Sequence, residues 1–261
     1  STSNPGKYGT TVEVLRNVIN EICQGLVDLL NCNLDKLSPE ILTHYFVYDW
    51  DKSAALGSYR SCLRKYGKTP KNTSVINQCL PLAMESCRKS KIRATKVIRV
   101  TGYMLENLSK IDSDIKIIHY VRDPRALFLS QRGGKVLPNA VNSSALWANS
   151  WCSRLVADYR HVRHLAETVD ILQIRYEDLA TNFSHAIHKI YKYIKRSIPE
   201  ELINWFQTNT NATKSNGPMG TTRTNSTATA YRWRHHLPDT VINTISKYCA
   251  NVLRIYRYAE K

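Results

Sequence analysis

Apolar residues recur at three- and four-residue steps over residues 10–31, at Val12, Leu15, Val18, Ile19, Ile22, Leu26, Leu29 and Leu30. This spacing predicts an amphipathic helix. Two short β-branched runs follow, K-V-I-R-V at 96–100 and I-K-I-I-H-Y-V at 115–121, with a third, V-D-I-L-Q-I-R-Y, at 169–176. Each predicts a strand of a buried sheet. Between the second and third, residues 143–167 carry Ala148, Trp151, Cys152, Leu155, Tyr159 and Val162 along one helical face. Strand, helix, strand is the βαβ order, so the pattern predicts an α/β fold with a mostly parallel sheet flanked by helices. A last helix is expected over 238–256, with Pro238 in its first turn and Val241, Ile245, Tyr248, Val252 and Tyr256 turned inward. No internal repeat or low-complexity linker intervenes, so residues 1–261 are expected to form a single domain.

Charge narrows the partners. The chain has 37 Lys plus Arg against 21 Asp plus Glu, a net +16, which attracts polyanions: nucleic acid, an acidic membrane surface, an anionic polysaccharide, or an anionic cofactor with its substrate. The basic residues are spread along the chain without zinc-finger spacing, a basic zipper or an aromatic RNA-binding signature, so no nucleic-acid partner is expected. No run is apolar enough to span a membrane and no signal segment opens the chain. Because the first residue is Ser1 in a polar, turn-rich stretch, a cleaved or truncated precursor is expected.

Two features point to the secretory lumen. The N-x-S/T pattern occurs at Asn72, Asn107, Asn142, Asn182, Asn211 and Asn225, a mild enrichment over chance. The seven cysteines, Cys23, Cys32, Cys62, Cys79, Cys87, Cys152 and Cys249, lack paired C-x-x-C spacing, which disfavours a zinc ribbon or a thioredoxin-type motif, and no metal is expected. Cys62, Cys79 and Cys87 fall in a stretch without clear periodicity, where disulfides are expected to hold a loop. Cys152 and Cys249 lie on helical patterns and are expected to be buried free thiols. The odd count leaves one thiol over, or a partner elsewhere.

The chemistry concentrates where the strand at 115–121 ends. Asp123 followed by Pro124 is a helix start: the carboxylate caps free backbone N–H groups, and proline at the first helical position loses no hydrogen bond. Ligands bind at the C-terminal edge of parallel strands, and a helix N-terminus there favours phosphate. Arg122 adds a planar fork for phosphate oxygens, and Ser130, two helical turns beyond Asp123 on the same face, is placed to converge on the same anion. Gly133 and Gly134 are expected to end the helix. The bland reading is a capped surface helix with incidental arginines.

R-D-P-R-A at 122–126, with Ser130 at the eighth position after Arg122, resembles the 3′-phosphate-binding segment of sulfotransferases. The wider pattern is similar to the Golgi carbohydrate sulfotransferases that sulfate the 6-hydroxyl of galactose, N-acetylglucosamine or N-acetylgalactosamine. Supporting stretches are K-V-I-R-V, W-C at Trp151 and Cys152, R-Y-E-D-L-A at 175–180, G-T-T-R-T-N-S at 220–226, and W-R at Trp233 and Arg234. The resemblance implies a P-loop-like fold. It also implies 3′-phosphoadenylyl sulfate as co-substrate, a glycan or proteoglycan acceptor, and a Golgi-lumenal location for a parent anchored by a single N-terminal span. Carried over by that match, Arg122, Ser130 and Arg223 hold the donor's 3′-phosphate. Asn225, beside Arg223, is then expected to be unmodified. Arg175, Glu177 and Asp178 read as a structural ion-pair network, and His119 as a satisfied core histidine.

One departure stands out. The family's R-x-G-S-[ST] strand-to-helix turn, the backbone cradle for the 5′-phosphosulfate, does not occur in these residues; P-G-K-Y-G-T-T at 5–11 reads as a coincidental turn. The first strand and its loop are therefore expected to be missing, the domain to be incomplete at its N-terminus, and no catalytic base is identified. Two readings follow: a shortened carbohydrate sulfotransferase, or a non-catalytic basic protein that binds anionic glycans or nucleotides.

Overall fold

The computed structural model describes residues 11–44, 53, 56–67, 72–98, 100–111, 114–133, 143–217 and 220–258. The chain divides into two compact units, Ser1–Asp114 and Ile115–Lys261. Among the described residues no helix is long and apolar enough to cross a membrane.

In the first unit the described elements are helical: α1 (Thr11–Leu30), α2 (Pro39–Leu42), α3 (Gly57–Arg64), α4 (Thr73–Lys89) and α5 (Gly102–Ile111), with one 3-10 turn at Leu34–Lys36. The helix expected over 10–31 forms, but it buries Cys23 and Val27 and leaves Leu15, Val18 and Ile22 exposed. The run K-V-I-R-V is not a strand among its described positions, and Ile98 is 71% exposed. A β-branched run becomes a strand only against a partner ladder, and among the described residues the sheet has two strands, both in the other unit. Cys62, Cys79 and Cys87 lie on helices, not on a loop: Cys62–Cys79 ties α3 to α4, and Cys32–Cys87 ties α4 to the turn after α1. The Cys62–Cys79 disulfide joins a core of Leu34, Leu37, Tyr59, Leu63, Ile76 and Leu80. Cys23 is the thiol left over; it is fully buried, donates to the Met104 carbonyl at 3.4 Å, and burial raises its pKa.

The second unit carries the βαβ order that the pattern predicts. Strand β1 (Ile117–Val121) leads through α6 (Pro124–Gly133) and α7 (Ser144–Leu165) to β2 (Ile171–Arg175). The strands pair in parallel, from Ile117 opposite Ile171 to Val121 opposite Arg175. Then follow α8 (Tyr176–Thr181), α9 (Phe183–Tyr193), α10 (Glu200–Thr210), α11 (Ser226–Tyr231), α12 (Trp233–His236), α13 (Asp239–Tyr248) and α14 (Ala250–Ile255). The Tyr193 hydroxyl clips the N-terminal ends of the two strands together, accepting from the Ile117 N–H at 2.9 Å and donating to the Asp170 carbonyl at 2.6 Å.

The core of this unit gathers Val121, Phe128, Trp147, Ala148, Trp233, Ile242, Ile245, Val252 and Tyr256 from one strand and five helices. The stripe read on residues 143–167 faces it: Ala148, Cys152 and Val162 are buried, and Trp151, Leu155 and Tyr159 pack against its edge. The last predicted helix is broken at Cys249 into α13 and α14, with Tyr248 turned outward at 47% exposure. The expectation of free thiols at Cys152 and Cys249 is overturned, because the two are disulfide-bonded with Cα atoms 5.3 Å apart. The cause is helix packing: α7 lies along α13, and buried Cys152 on α7 meets buried Cys249 at the end of α13.

Candidate functional site

Strand β1 stops because Asp123 and Pro124 start a helix. The Asp123 carbonyl accepts the first helical bond, from the Leu127 N–H at 2.9 Å, while its side-chain Oδ1 accepts from the Arg125 N–H at 2.8 Å. Asp123 is therefore the N-cap that the sequence predicts. Its own N–H donates to Glu177 Oε1 at 3.1 Å, which ties the end of β1 to the first turn after β2.

Arg125 is the residue that sequence reasoning passed over. Its guanidinium grips the Asp123 carboxylate, with Nη2 at 2.8 Å from Oδ2 and Nε at 3.0 Å from Oδ1. The guanidinium carbon lies 4.0 Å from the centre of the Trp233 ring. Arg125 is 1% exposed and Trp233 likewise. The R-D-P-R and W-R motifs thus meet in a buried sandwich, in which the second arginine neutralises the cap and the indole covers it. The sequence signal was the Asp-x-Arg spacing, which lets a guanidinium fold back onto the preceding cap.

Arg122 is placed differently. Its guanidinium lies 4.2 Å from the Tyr176 ring centre, while its Nε is buried without a hydrogen-bond partner. A buried charged donor left unpaired is costly, and an anion seated at the strand end would relieve it. Ser130 sits two turns along α6, half-buried, on the helix that Asp123 caps. Both residues read as site candidates thus belong to one strand–turn–helix.

Arg223 comes from a separate loop. Its backbone N–H donates to the Asn209 carbonyl at 2.7 Å, its carbonyl accepts from the Ala212 N–H at 2.9 Å, and its Nη1 donates to the Thr222 carbonyl at 2.7 Å. Asn216 supports the loop by accepting from the Thr222 N–H at 2.9 Å. A side chain at Gly220 would place its Cβ 1.8 Å from that Asn216 oxygen, so any larger residue there would displace the Asn216 side chain from its bond to Thr222. Beyond Arg223, Asn225 caps α11, and the Ser226 and Thr227 hydroxyls both donate to the Ala180 carbonyl. Ala180 belongs to α8, the helix whose first residue is Tyr176 under Arg122. The Arg223 loop is in this way anchored to the helix that leaves the same sheet edge.

Of the ion-pair network read on R-Y-E-D, the structure forms the Arg175–Asp178 pair, whereas Glu177 turns to the Asp123 backbone N–H. Arg175 Nε donates to Asp178 at 2.9 Å and a second bond joins Arg175 Nη2 to the same carboxylate, while Arg175 Nη1 donates to the Arg257 carbonyl at 2.8 Å. Glu177 is 3% exposed, and burial holds its carboxyl above the usual carboxylate range against the backbone N–H groups that favour its charge. His119 is only half satisfied: its Nδ1 is buried without a partner, and burial lowers its pKa despite Asp158 and Gln173 nearby.

The features that anion sites use recur here: a strand end, a capped helix start, an arginine with an unused buried donor, and a hydroxyl two turns on. The model of the family described as "Sulfotransferase domain" matches residues 22–257. Carbohydrate sulfotransferase 1 of Rattus norvegicus is 27% identical across 74% of this chain and 49% of its own length. Carbohydrate sulfotransferase 5 of Homo sapiens is 25% identical across 99% of this chain and 68% of its own, and carbohydrate sulfotransferase 6 of Homo sapiens is 28% identical across 69% and 51%. The chain spans about half the length of several of these relatives. No solved structure matches it.

Proposed function

We propose that this chain, which belongs to the sulfotransferase family, forms the 3′-phosphate side of a site that transfers a sulfuryl group from 3′-phosphoadenylyl sulfate to a sugar hydroxyl of a glycan. The observation that carries the reading is the buried, unpartnered Nε of Arg122 at the end of β1. An unmet charged donor beside a helix N-terminus fits a phosphate. Arg122 and Ser130 would hold that phosphate, and Arg223 would reach it from its loop. The bound donor supplies an activated sulfuryl group, whose bond to the 5′-phosphate oxygen breaks as the sugar oxygen bonds to sulfur. Relatives named carbohydrate sulfotransferases support a sugar as acceptor, and the family resemblance favours its 6-hydroxyl.

The chain's three disulfides support an oxidising compartment, and with the resemblance they favour the Golgi lumen. The segment R-x-G-S-[ST] that would steady charge on the moving sulfuryl group is not among these residues, which favours a second reading for the chain by itself: binding of a nucleotide or anionic glycan without transfer.

Calorimetry with adenosine 3′,5′-bisphosphate tests the site. Replacement of Arg122 by alanine is expected to weaken binding about tenfold to over a hundredfold, from the roughly 1.5 to 3 kcal/mol of a charge-assisted hydrogen bond. Unchanged affinity would remove Arg122 from the site. A transfer assay with labelled donor and a polysaccharide acceptor then separates enzyme from binder.

A further inference from the structure

Helices α8, α9, α10 and α11 border an open groove of about 270 Å³. Phe183 and Phe206 line it, stacked on each other with ring centres 3.5 Å apart and planes at 10°, and Thr181, Asn225 and Thr227 edge it. An open groove that sets aromatic carbon beside hydroxyls and amides is suited to a pyranose ring, whose C–H groups meet the rings while its hydroxyls hydrogen-bond outward. The volume falls below the roughly 300 to 1,000 Å³ of clefts that take drug-sized ligands, which suits one sugar ring in contact with the protein.

Two of its lining residues, Asn211 and Asn225, open N-x-S/T triplets. Asn211 opens an N-A-T triplet, is exposed just past the end of α10, and its carboxamide has no hydrogen-bond partner among the described residues. The other acceptors are placed differently. Asn72, Asn182 and Asn225 cap helices through the side-chain oxygen, a contact that does not engage the nitrogen to which a sugar bonds. Asn107 has its amide nitrogen buried within α5, and Asn142 lies outside the described residues.

We propose that Asn211 is an N-glycosylation site and that its first N-acetylglucosamine packs in the groove against Phe183 and Phe206. The proposal rests on the lumenal location argued above. In the transfer, Asn211 Nδ2 bonds to the anomeric carbon of the sugar, the bond from that carbon to the diphosphate of a lipid-linked oligosaccharide breaks, the lipid diphosphate departs, and the amide gives up one proton. Transfer precedes folding, and the fold then accommodates or opposes what is attached. At Asn211 the sugar lies in an open groove; at Asn107 it would have to enter α5's buried side.

The test begins with protein immunopurified from the cells that make it, mapped by mass spectrometry after enzymatic deglycosylation in heavy-oxygen water. Asn211 is expected to be occupied and Asn107 bare. If other acceptors carry glycans and Asn211 does not, the lumenal reading stands and the proposal falls. If none of the six is modified, the lumenal reading falls and the proposal with it. Calorimetry with adenosine 3′,5′-bisphosphate reads the donor site independently of either result. Thermal midpoints then locate the sugar, using protein from a secretory host in three forms: intact, trimmed to one N-acetylglucosamine, and stripped. The trimmed form is expected to melt with the intact one, and stripping to lower the midpoint by about 2 to 4 °C in the native sequence but not in Asn211→Gln. Equal midpoints for trimmed and stripped forms would take the sugar out of the groove.

Discussion

Glu177 Oε1 accepts the backbone N–H of Asp123 at 3.1 Å, so a carboxylate at the end of one strand fixes the turn at the end of the other. That carboxylate is buried, and burial is the main reason its pKa is raised, with Asp123 adding to the shift and two backbone N–H groups and Arg122 opposing it. A raised native pKa means that the folded state holds this proton more readily than the unfolded chain. The associated stability is complete below the ordinary glutamate range, about 4.3, and is lost as pH rises through the native pKa. Glu177→Gln keeps the accepting oxygen and removes the charge. Its thermal midpoint is expected to exceed that of the parent at neutral pH and to converge with it below pH ~4; a parent that is the more stable at neutral pH would contradict this.

The Cys152–Cys249 disulfide closes a loop of 97 residues, whereas Cys62–Cys79 closes one of 17. Loop-closure entropy assigns roughly 4.7 kcal/mol to a loop of about 100 residues and about 3 to one of 15. Cys152→Ser with Cys249→Ser is therefore expected to lower unfolding free energy in urea more than the paired serine substitutions at Cys62 and Cys79. The reverse order would show that strain or residual structure in the unfolded chain governs both.

Arg125 carries the sharpest stability prediction. Its guanidinium is buried between the Asp123 carboxylate and the Trp233 ring. Arg125→Ala leaves a buried carboxylate without its partner, at a cost of about 3 to 5 kcal/mol. Arg125→Lys is expected to recover only part of that, because an ammonium cannot reproduce the two-pronged grip or lie flat on the indole. Urea unfolding monitored by tryptophan fluorescence measures both, and full recovery by lysine would reduce the contact to simple charge.

Local chemistry was legible in the sequence, and long-range chemistry was not. The strand at 115–121, its Asp-Pro stop and the helix after it are written in adjacent residues, and they fold as read. The run at 96–100 has the same β-branched composition, but whether such a run pairs depends on a neighbour that composition does not specify. Cys152 and Cys249 gave helical periodicity and no hint of each other, because which helices pack is decided by the whole core. For the same reason Arg125 read as incidental until Trp233, far along the chain, was seen to cover it.

Arg122 and Tyr176 form the last pair, with the guanidinium 4.2 Å from the ring centre. A cation over an aromatic face is worth roughly 0.5 to 2 kcal/mol, here used to hold the arginine at the strand end. Tyr176→Phe keeps the face and is expected to change adenosine 3′,5′-bisphosphate affinity little. Tyr176→Ala frees the guanidinium and is expected to weaken binding about two- to thirtyfold. If Tyr176 acts by positioning Arg122, the same alanine substitution costs much less in an Arg122→Ala background, because residues in contact couple. Calorimetry on the four proteins of that cycle decides it. An equal cost in both backgrounds would mean that Tyr176 meets the ligand on its own account and that the stacking on Arg122 is incidental to binding.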